Sequence, residues 1–269
     1  MSIIENIKKR TSVRTYAGEP LSENDKNRII QFINNLSQPL GGKARIELVS
    51  RKSVDDKAVK LGTYGVISGA NDYLLLIYED GVLAQENAGY MFEEVVLYCT
   101  SLGLGTCWLG GTFNRDDFKD NVQMSDKEKL PIVSPVGYPK EKRSFLDRMM
   151  RSAAKSEKRK NFEEIFFSND FHTPLTQDTA GEYFTPLEMV RLAPSASNSQ
   201  PWRVILQENK LHFYDSLSNR FSFNDLGIAL CHFKETCNEL NIDGKFEILE
   251  EQNIPNFQKM RYTISWLSD

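Results

Sequence analysis

The hydrophobic patterns of this chain follow one order twice, and this repetition limits the folds that it can adopt. In each half, a capped helix start leads to a short strand, a long amphipathic helix and a closing strand. Apolar residues three or four positions apart predict the long helices, between Ala88 and Leu102 and between Leu226 and Leu240. The pattern favours an α+β fold of two related halves, although any α+β chain also alternates helices and strands. It lacks the βαβαβ rhythm of a doubly wound parallel sheet.

Local signals place the other elements. Ser22 to Asp25 has the form of a capping box, and the isoleucines that follow supply an apolar helical face. Thr185 predicts a second helix start, with Pro186 at the first helical position. The predicted strands are Ala44–Val49, Tyr73–Tyr78, Leu130–Val136, Trp202–Leu206 and Arg261–Trp266.

Composition and charge exclude several classes of protein. A net charge of −4 offers no general affinity for nucleic acid or for a membrane surface. The longest apolar run, Tyr73–Tyr78, is too short to span a bilayer, and residues 1–10 lack the design of a signal peptide. The four cysteines form no CxxC pair and have no histidine at metal-ligand spacing, so we expect free thiols in a reduced, cytoplasmic protein without a metal site.

The stretch from Lys140 to Lys160 is highly charged and prone to form a helix, which is typical of a connector across a surface. We therefore predict a first half at residues 1–145, a basic connector at 146–160 and a second half at 161–269.

Three segments carry chemistry, and the first is Arg10–Arg14. In an extended chain, Arg10, Ser12 and Arg14 point to one side and offer two guanidinium groups and a hydroxyl. This arrangement suits a phosphate dianion, because arginine makes forked, charge-assisted hydrogen bonds to phosphate oxygens. Taken alone, the motif is more typical of a solvated basic patch.

The second segment is Gly103–Gly111. Gly103 follows the long helix as a C-terminal cap, residues 106–109 predict a short strand, and Gly110 and Gly111 leave the backbone bare for a flat ligand. The glycines follow a helix and do not open one, so the segment is not a dinucleotide fingerprint. Taken alone, it is more often a plain turn between a helix and a strand.

The third segment is the loop Pro194–Arg203, a run of small and polar residues between a predicted helix and a predicted strand. Such runs present backbone amides and short polar side chains to a ligand. Taken alone, it is a loop punctuated by prolines.

Together the three segments resemble the FMN-dependent nitroreductase family. The matching motifs are R-x-S-x-R at Arg10–Arg14, G-L-G-x-x-W-x-G-G at Gly103–Gly111, P-S-x-x-N-x-Q-P-W at Pro194–Trp202, V-G-Y-P at Val136–Pro139 and the basic segment Lys158–Lys160. The resemblance covers nearly the whole chain. It implies a nitroreductase-like fold, in which each half has a mainly antiparallel sheet packed by helices.

One departure from the family pattern concerns where the motifs stand. In typical members, R-x-S-x-R and P-S-x-x-N-x-Q-P-W lie close together near the N-terminus, and two subunits share each flavin site. Here the P-S-x-x-N-x-Q-P-W loop lies in the second half, and residues 34–40 replace it in the first. The resemblance thus implies a fused pseudo-dimer with a single complete site, present as a monomer or a weak homodimer.

The resemblance also implies roles for individual residues. Arg10, Ser12 and Arg14 would hold the phosphate and ribityl side of FMN, with charge added by Lys158 and by Lys160 or Arg159. Backbone amides at Leu109, Gly110 and Gly111 would stabilise negative charge on the reduced ring, so that no catalytic side chain is required. The residues expected to line the flavin from the opposite half are Pro194, Ser195, Ala196, Asn198 and Gln200.

The implied activity is that of an FMN-dependent oxidoreductase. NAD(P)H would reduce the flavin, and a nitroaromatic, a quinone or a similar small molecule would then accept two electrons in a ping-pong reaction. Two alternatives remain open at this point: an FMN-binding carrier or sensor without turnover, and an enzyme of the same superfamily that fragments FMN.

Overall fold

The computed structural model describes residues 2–50, 53–54, 57–58, 63–119, 121–140, 149, 158–250, 254–255 and 259–268. The chain divides into two compact units, one formed by residues 9–154 and the other by residues 2–8 together with residues 155–269. Residues 2–8 thus group with the second unit, whereas the sequence pattern placed them in the first half. Most of the connector expected at 146–160 lies outside the described residues.

The first unit holds a four-stranded sheet with the strand order β1-β4-β6-β5, in which each neighbouring pair is antiparallel. Helix α1 (Ile3–Lys9) groups, up to Lys8, with the second unit. The helices and strands of the first unit are α2 (Glu23–Asn34), β1 (Ala44–Ser50), β2 (Ser53–Val54), β3 (Lys57–Ala58), β4 (Asp72–Glu79), α3 (Ala84–Ser101), β5 (Gly105–Thr106), α4 (Arg115–Lys119) and β6 (Glu128–Gly137). The central strand β4 is buried along most of its length, which confirms the prediction of a buried strand at 73–78.

Two helix ends in the first unit follow the local sequence signals. The Ser22 hydroxyl accepts a hydrogen bond from the Asp25 amide at 3.1 Å, as predicted for the start of α2. Behind this cap Ile29 is fully buried, but Ile30 is 42% exposed, so the apolar face is narrower than the sequence suggested. At the end of α3, Gly103 adopts a φ of +76°, and the amides of Gly103 and Leu104 return to the carbonyls of Thr100 and Cys99. This is a Schellman cap, in which glycine relieves the strain of a left-handed residue.

The second unit holds a five-stranded sheet with the order β10-β11-β9-β8-β7. The β7–β8 pair is parallel and the other pairs are antiparallel. Its elements are β7 (Phe166–Ser168), α5 (Gln177–Ala180), α6 (Phe184–Leu192), β8 (Trp202–Gln207), β9 (Lys210–Asp215), α7 (Ser222–Leu240), β10 (Gly244–Glu247) and β11 (Arg261–Ser268), with 3₁₀ turns at Phe162–Glu164, Gly181–Tyr183 and Ala196–Asn198. Mainly antiparallel sheets packed by helices confirm the predicted fold class, whereas the internal duplication stays a prediction.

One predicted helix start is wrong. Helix α6 begins at Phe184, two residues before the predicted first position at Pro186, because the 3₁₀ turn Gly181–Tyr183 runs directly into it. Pro186 therefore occupies the third helical position. It still lies in the first turn, where a backbone amide has no acceptor within the helix, so its missing N–H costs nothing.

Helix α1 packs in the second unit through its N-terminus. The Ser2 hydroxyl donates to the Glu239 carboxylate of α7 at 2.6 Å, and the amides of Ile3 and Ile4 donate to the same carboxylate. First-turn amides have no partner within their own helix, and a negative charge there also suits the helix dipole. These contacts explain why residues 2–8 group with the second unit.

All four cysteines are free and buried, as the sequence predicted. Among the described residues, none of the helices combines the length and the apolar character that a bilayer crossing requires.

The core of the second unit is an aromatic cluster around Phe233 of α7. The Phe233 ring lies 5.2 Å from that of Phe213 and 5.4 Å from that of Trp266, in both cases edge to face. All three side chains are fully buried. Helix α7 is thus attached to the strands β9 and β11 by interlocking rings.

Replacing Phe233 by alanine should destabilise the protein by about 3–5 kcal/mol, because the surrounding rings cannot close the resulting cavity. Leu240→Ala is the matched control, since Leu240 lies on the same helix but is 40% exposed, and it should change stability by less than about 1 kcal/mol. Urea unfolding measures both variants. Equal losses in the two variants would contradict this assignment of the core.

Candidate functional site

The segment Arg10–Arg14 lies beside β5 in the first unit. The amide of Val13 donates to the carbonyl of Thr106 at 2.8 Å, and Ser12 pairs with Thr106 as a parallel bridge. One residue further along the segment, the Arg14 carbonyl accepts a hydrogen bond from the Ser68 amide at 3.0 Å. The segment is therefore extended, as the sequence predicted, and the structure brings the first motif next to the glycine-containing one.

Glycine at position 105 permits this approach. A Cβ atom added to Gly105 would lie 2.8 Å from the Cβ of Val13, closer than side chains normally come. Position 105 has no room for a side chain, because the extended segment that contains Val13 packs directly against it. The glycine is thus required for packing here, and not for an unusual backbone angle.

Arg10 belongs to a buried polar group. Its Nε atom lies 3.7 Å from the carboxylate of Glu93, and that carboxylate also accepts a hydrogen bond from the indole of Trp108 at 2.9 Å. The Glu93 side chain is fully buried and that of Arg10 is 8% exposed. A buried carboxylate requires such partners, since an isolated buried charge is very costly. Glu93 was not singled out from the sequence; the available signal was an acid within the apolar helix α3.

The glycine turn offers two of its three expected amides. The amide of Leu109 donates to the Val133 carbonyl at 2.9 Å and is already used by the sheet. Gly110 accepts a hydrogen bond from Arg115 through its carbonyl, at 3.2 Å. Within the described part of the chain, the amides of Gly110 and Gly111 donate to no acceptor, and Gly111 is exposed. These two amides can therefore bind a ligand.

In the second unit, the loop Pro194–Arg203 has a strained backbone. Ser197, Asn198 and Gln200 have φ angles of 52°, 56° and 49°, in the left-handed region that glycine prefers. Such angles cost on the order of 1 kcal/mol or more for each residue unless the surroundings enforce them. One internal contact helps, since the Ser195 hydroxyl accepts from the Gln200 amide at 2.9 Å. The rest of the restraint comes from outside the loop.

Residues 158–160 hold one side of this loop. The Asn198 side chain donates to the Lys158 carbonyl at 2.8 Å, and its oxygen accepts from Arg159 at 3.0 Å. The Gln200 side-chain oxygen accepts from the Lys160 amide at 2.8 Å. The family resemblance implies that both amide side chains line the flavin, and in the structure they join two segments of the same unit.

Asp225 of α7 holds the other side. Its two carboxylate oxygens accept from the Ala196 amide at 3.0 and 3.1 Å, and the Asn219 side chain donates to the Ser199 hydroxyl at 3.1 Å. Burial raises the pKa of Asp225 to about 7, a shift that the Ala196 and Asn219 hydrogen bonds oppose and the charge of Asp215 reinforces. No sequence signal marked Asp225, because the loop that it holds lies 29 positions away.

The candidate site residues form two groups, one in each unit. Arg10, Ser12, Arg14, Leu109, Gly110 and Gly111 lie on or beside β5 in the first unit, whereas Lys158, Lys160, Pro194, Ser195, Ala196, Asn198 and Gln200 lie in or against the loop in the second.

Replacing Gly105 by alanine should cost about 1–3 kcal/mol, because the new methyl group collides with Val13. The double variant Gly105→Ala, Val13→Ala should recover part of this loss, which gives a coupling of at least about 0.5 kcal/mol in a double-mutant cycle. Gly81→Ala is the control, since a Cβ there meets open space. Additive losses in the urea unfolding of the double variant would disprove the contact.

Asp225 should make the stability of the second unit depend on pH. Its folded pKa of about 7 lies above the usual value for aspartate, so the folded state holds an extra proton between about pH 4 and 7. Stability therefore falls as the pH rises through this range and is constant above it.

The variant Asp225→Asn should lack this dependence. As the pH rises from 4.5 to 8, wild type should lose a few kcal/mol of unfolding free energy relative to Asp225→Asn. Asp243→Asn, at an exposed position of the same unit, is the control. Parallel pH profiles for wild type and Asp225→Asn would rule out the raised pKa.

Known proteins share the sequence pattern and the architecture of this chain. A sequence model of the family described as "Putative TM nitroreductase" matches residues 2–237. Comparison with curated proteins gave no match. The chain is similar over 99% of its length to the crystal structure of a "putative nitroreductase" from Thermotoga maritima MSB8, with 22% identity, a TM-score of 0.65 and 93% of that chain covered. At this identity, the likeness shows a shared fold.

Two further solved structures match over shorter stretches. A nitroreductase family protein from Clostridium difficile 630 is 18% identical, with a TM-score of 0.42, and the match covers 56% of this chain and 92% of that one. A nitroreductase with bound FMN from Bacteroides fragilis NCTC 9343 is 19% identical, with a TM-score of 0.40 over 54% of this chain and 92% of that one. Because the family model matches residues 2–237, which are most of this chain, the chain belongs to this nitroreductase family and is an oxidoreductase.

Proposed function

We propose that this protein binds FMN and transfers two electrons from NAD(P)H to a nitroaromatic, a quinone or a similar small acceptor. Membership of a nitroreductase family supports the class of reaction. The observation that carries the proposal is the pairing of Ser12 with Thr106, which sets the Arg10–Arg14 segment beside β5, within the Gly103–Gly111 motif. This pairing supports the treatment of the two motifs as one group of ligand-binding residues.

The polar groups around Arg10–Arg14 fit the phosphate of FMN. The segment carries two guanidinium groups and one hydroxyl, which are groups that make charge-assisted hydrogen bonds to phosphate oxygens. Glu93 holds Arg10 in place, whereas the side chains of Ser12 and Arg14 are only partly buried. We assign phosphate binding to these three residues, with further charge from the exposed Lys158.

The glycine turn fits the polar edge of the flavin ring. Gly110 and Gly111 have amides that no protein acceptor uses within the described residues, and neither has a side chain that would keep a flat ring away. Amides in such a position stabilise negative charge that develops on a bound ring. When bound, FMN supplies two-electron redox chemistry that protein side chains lack. The role of these residues is therefore to bind, orient and stabilise.

The loop of the second unit is proposed to provide further FMN ligands, on the resemblance alone. Because Asn198 and Gln200 already make hydrogen bonds to residues 158–160, they would contribute mainly by shaping the loop. Pro194, Ser195 and Ala196 would then supply the surface that meets the ring.

Flavin binding and turnover can be tested with purified protein. We expect an FMN absorption spectrum that bleaches with NADH or NADPH and returns on addition of a nitroaromatic. Arg14→Ala and, separately, Asn198→Ala should each weaken FMN binding at least about tenfold, as expected for the loss of a hydrogen bond to a charged group or of a loop restraint. Arg28→Ala and Asn238→Ala are matched controls at exposed helical positions.

The outcomes separate the alternatives. Bound FMN that neither nicotinamide reduces would indicate a carrier or sensor, and loss of flavin under oxygen would indicate fragmentation. Protein that takes up no FMN would overturn the proposal. If Asn198→Ala left the FMN affinity unchanged, the second unit would have no part in binding.

A further inference from the structure

We propose that Lys160 is a positioning residue that fixes the shape of the loop Pro194–Arg203 and does not itself bind the phosphate of the ligand. The inference rests on the proposed binding of FMN. It departs from the expectation that a basic residue in this position adds charge to a phosphate site.

Within the described residues, the hydrogen bonds that Lys160 donates all go to the loop. Its ammonium group donates to the carbonyl of Ser199 at 3.0 Å and to that of Gln200 at 3.3 Å. Its backbone amide donates to the side-chain oxygen of Gln200 at 2.8 Å. Lys160 and Gln200 are thus joined through main chain and side chain together, a geometry that fixes the relative position of the two segments.

A second cation strengthens this arrangement. The guanidinium of Arg203 donates to the same Gln200 carbonyl at 3.1 Å and to the Trp202 carbonyl at 2.6 Å. Two cations therefore converge on one backbone oxygen, next to a residue with a positive φ. Burial, together with the charge of Arg203, lowers the pKa of Lys160, as expected for an ammonium group that is partly removed from solvent.

The loop needs such a restraint because of its backbone. Ser197, Asn198 and Gln200 all have positive φ angles, and residues of these types leave that region when nothing holds them. The Ala196 amide is held by Asp225 on one side of the loop, and the Ser199 and Gln200 carbonyls are held by Lys160 on the other. Without Lys160, the Ser199 carbonyl would lose its cation, and the Gln200 carbonyl would lose one of the two cations that hold it.

FMN and riboflavin distinguish a phosphate ligand from a positioning residue, because they differ only in the phosphate. Loss of a phosphate ligand weakens FMN binding and leaves riboflavin binding nearly unchanged. Loss of a residue that shapes the loop weakens both by the same factor. Arg14, assigned above to the phosphate, provides the contrasting case.

The test measures the dissociation constants of both flavins for wild type, Lys160→Met, Lys160→Arg and Arg14→Ala. Methionine keeps the length and the apolar stem of lysine but removes its donors. We expect Lys160→Met to weaken FMN and riboflavin equally, by about tenfold. Lys160→Arg should restore most of this loss, and Arg14→Ala should weaken FMN alone. Selective loss of FMN binding in Lys160→Met would overturn the proposal.

Hydrogen exchange without any flavin provides an independent readout. The amides of Asn198, Ser199 and Gln200 should exchange about tenfold faster in Lys160→Met, whereas the Ala193 amide, bonded to Val190 at the end of α6, should not change. Unchanged exchange in the loop would refute the positioning role. If wild type bound neither flavin, the proposed function would fail, and this measurement would still decide the role of Lys160.

Should Lys160→Met fail to fold, Gln200→Met removes the acceptor of the Lys160 amide and tests the same connection from the other side. It should accelerate exchange at Asn198 and Ser199 and weaken both flavins equally. Normal exchange at these amides, or a loss confined to FMN, would contradict the proposal.

Discussion

The first unit depends on the hydrogen bonds that hold the extended chain after α1. Residues 12–16 bond in turn to Thr106, to Ser68 and to the end of β6 near Pro139, so this short segment ties together three parts of the unit. Ser12 and Arg14 have fixed positions because their backbone has no freedom to move. The close contact of Val13 with Gly105 follows from the same arrangement. The positions of the proposed binding residues in this unit thus follow from strand pairing.

The second unit meets a different constraint. Its loop adopts backbone angles that are unfavourable for three residues, and it is held by groups from residues 158–160 and from the start of α7. Both sides use polar side chains against main-chain atoms, a lysine against carbonyls and an aspartate against an amide. A loop restrained in this way keeps one shape in the absence of a ligand, which reduces the entropy lost when a ligand binds.

Much of the fold could be predicted from the regular spacing of apolar residues. The long helices α3 and α7, the buried strand β4 and the caps at Ser22 and Gly103 follow from signals within a few residues of each element. The contacts that complete the candidate site join distant positions: Glu93 meets Arg10, and Asp225 meets Ala196. The start of helix α6 was misplaced by two residues because it is set by the preceding turn and not by its own cap. The loop lies between a helix and a strand, as predicted, and two of its amide side chains make hydrogen bonds within the protein.

The attachment of α1 to Glu239 affects the order in which the protein can be completed. A helix of seven residues is marginal in water and needs a docking surface to persist. Ser2 and its partner Glu239 are 237 residues apart, so at cellular rates of synthesis the partner appears on the order of 10–50 s after the helix. Throughout that time the amides of Ile3 and Ile4 lack the Glu239 carboxylate and donate to water. The earliest helix of this chain is therefore among the last to become stable on the ribosome, and the second unit cannot reach its final form until almost the whole chain has been made.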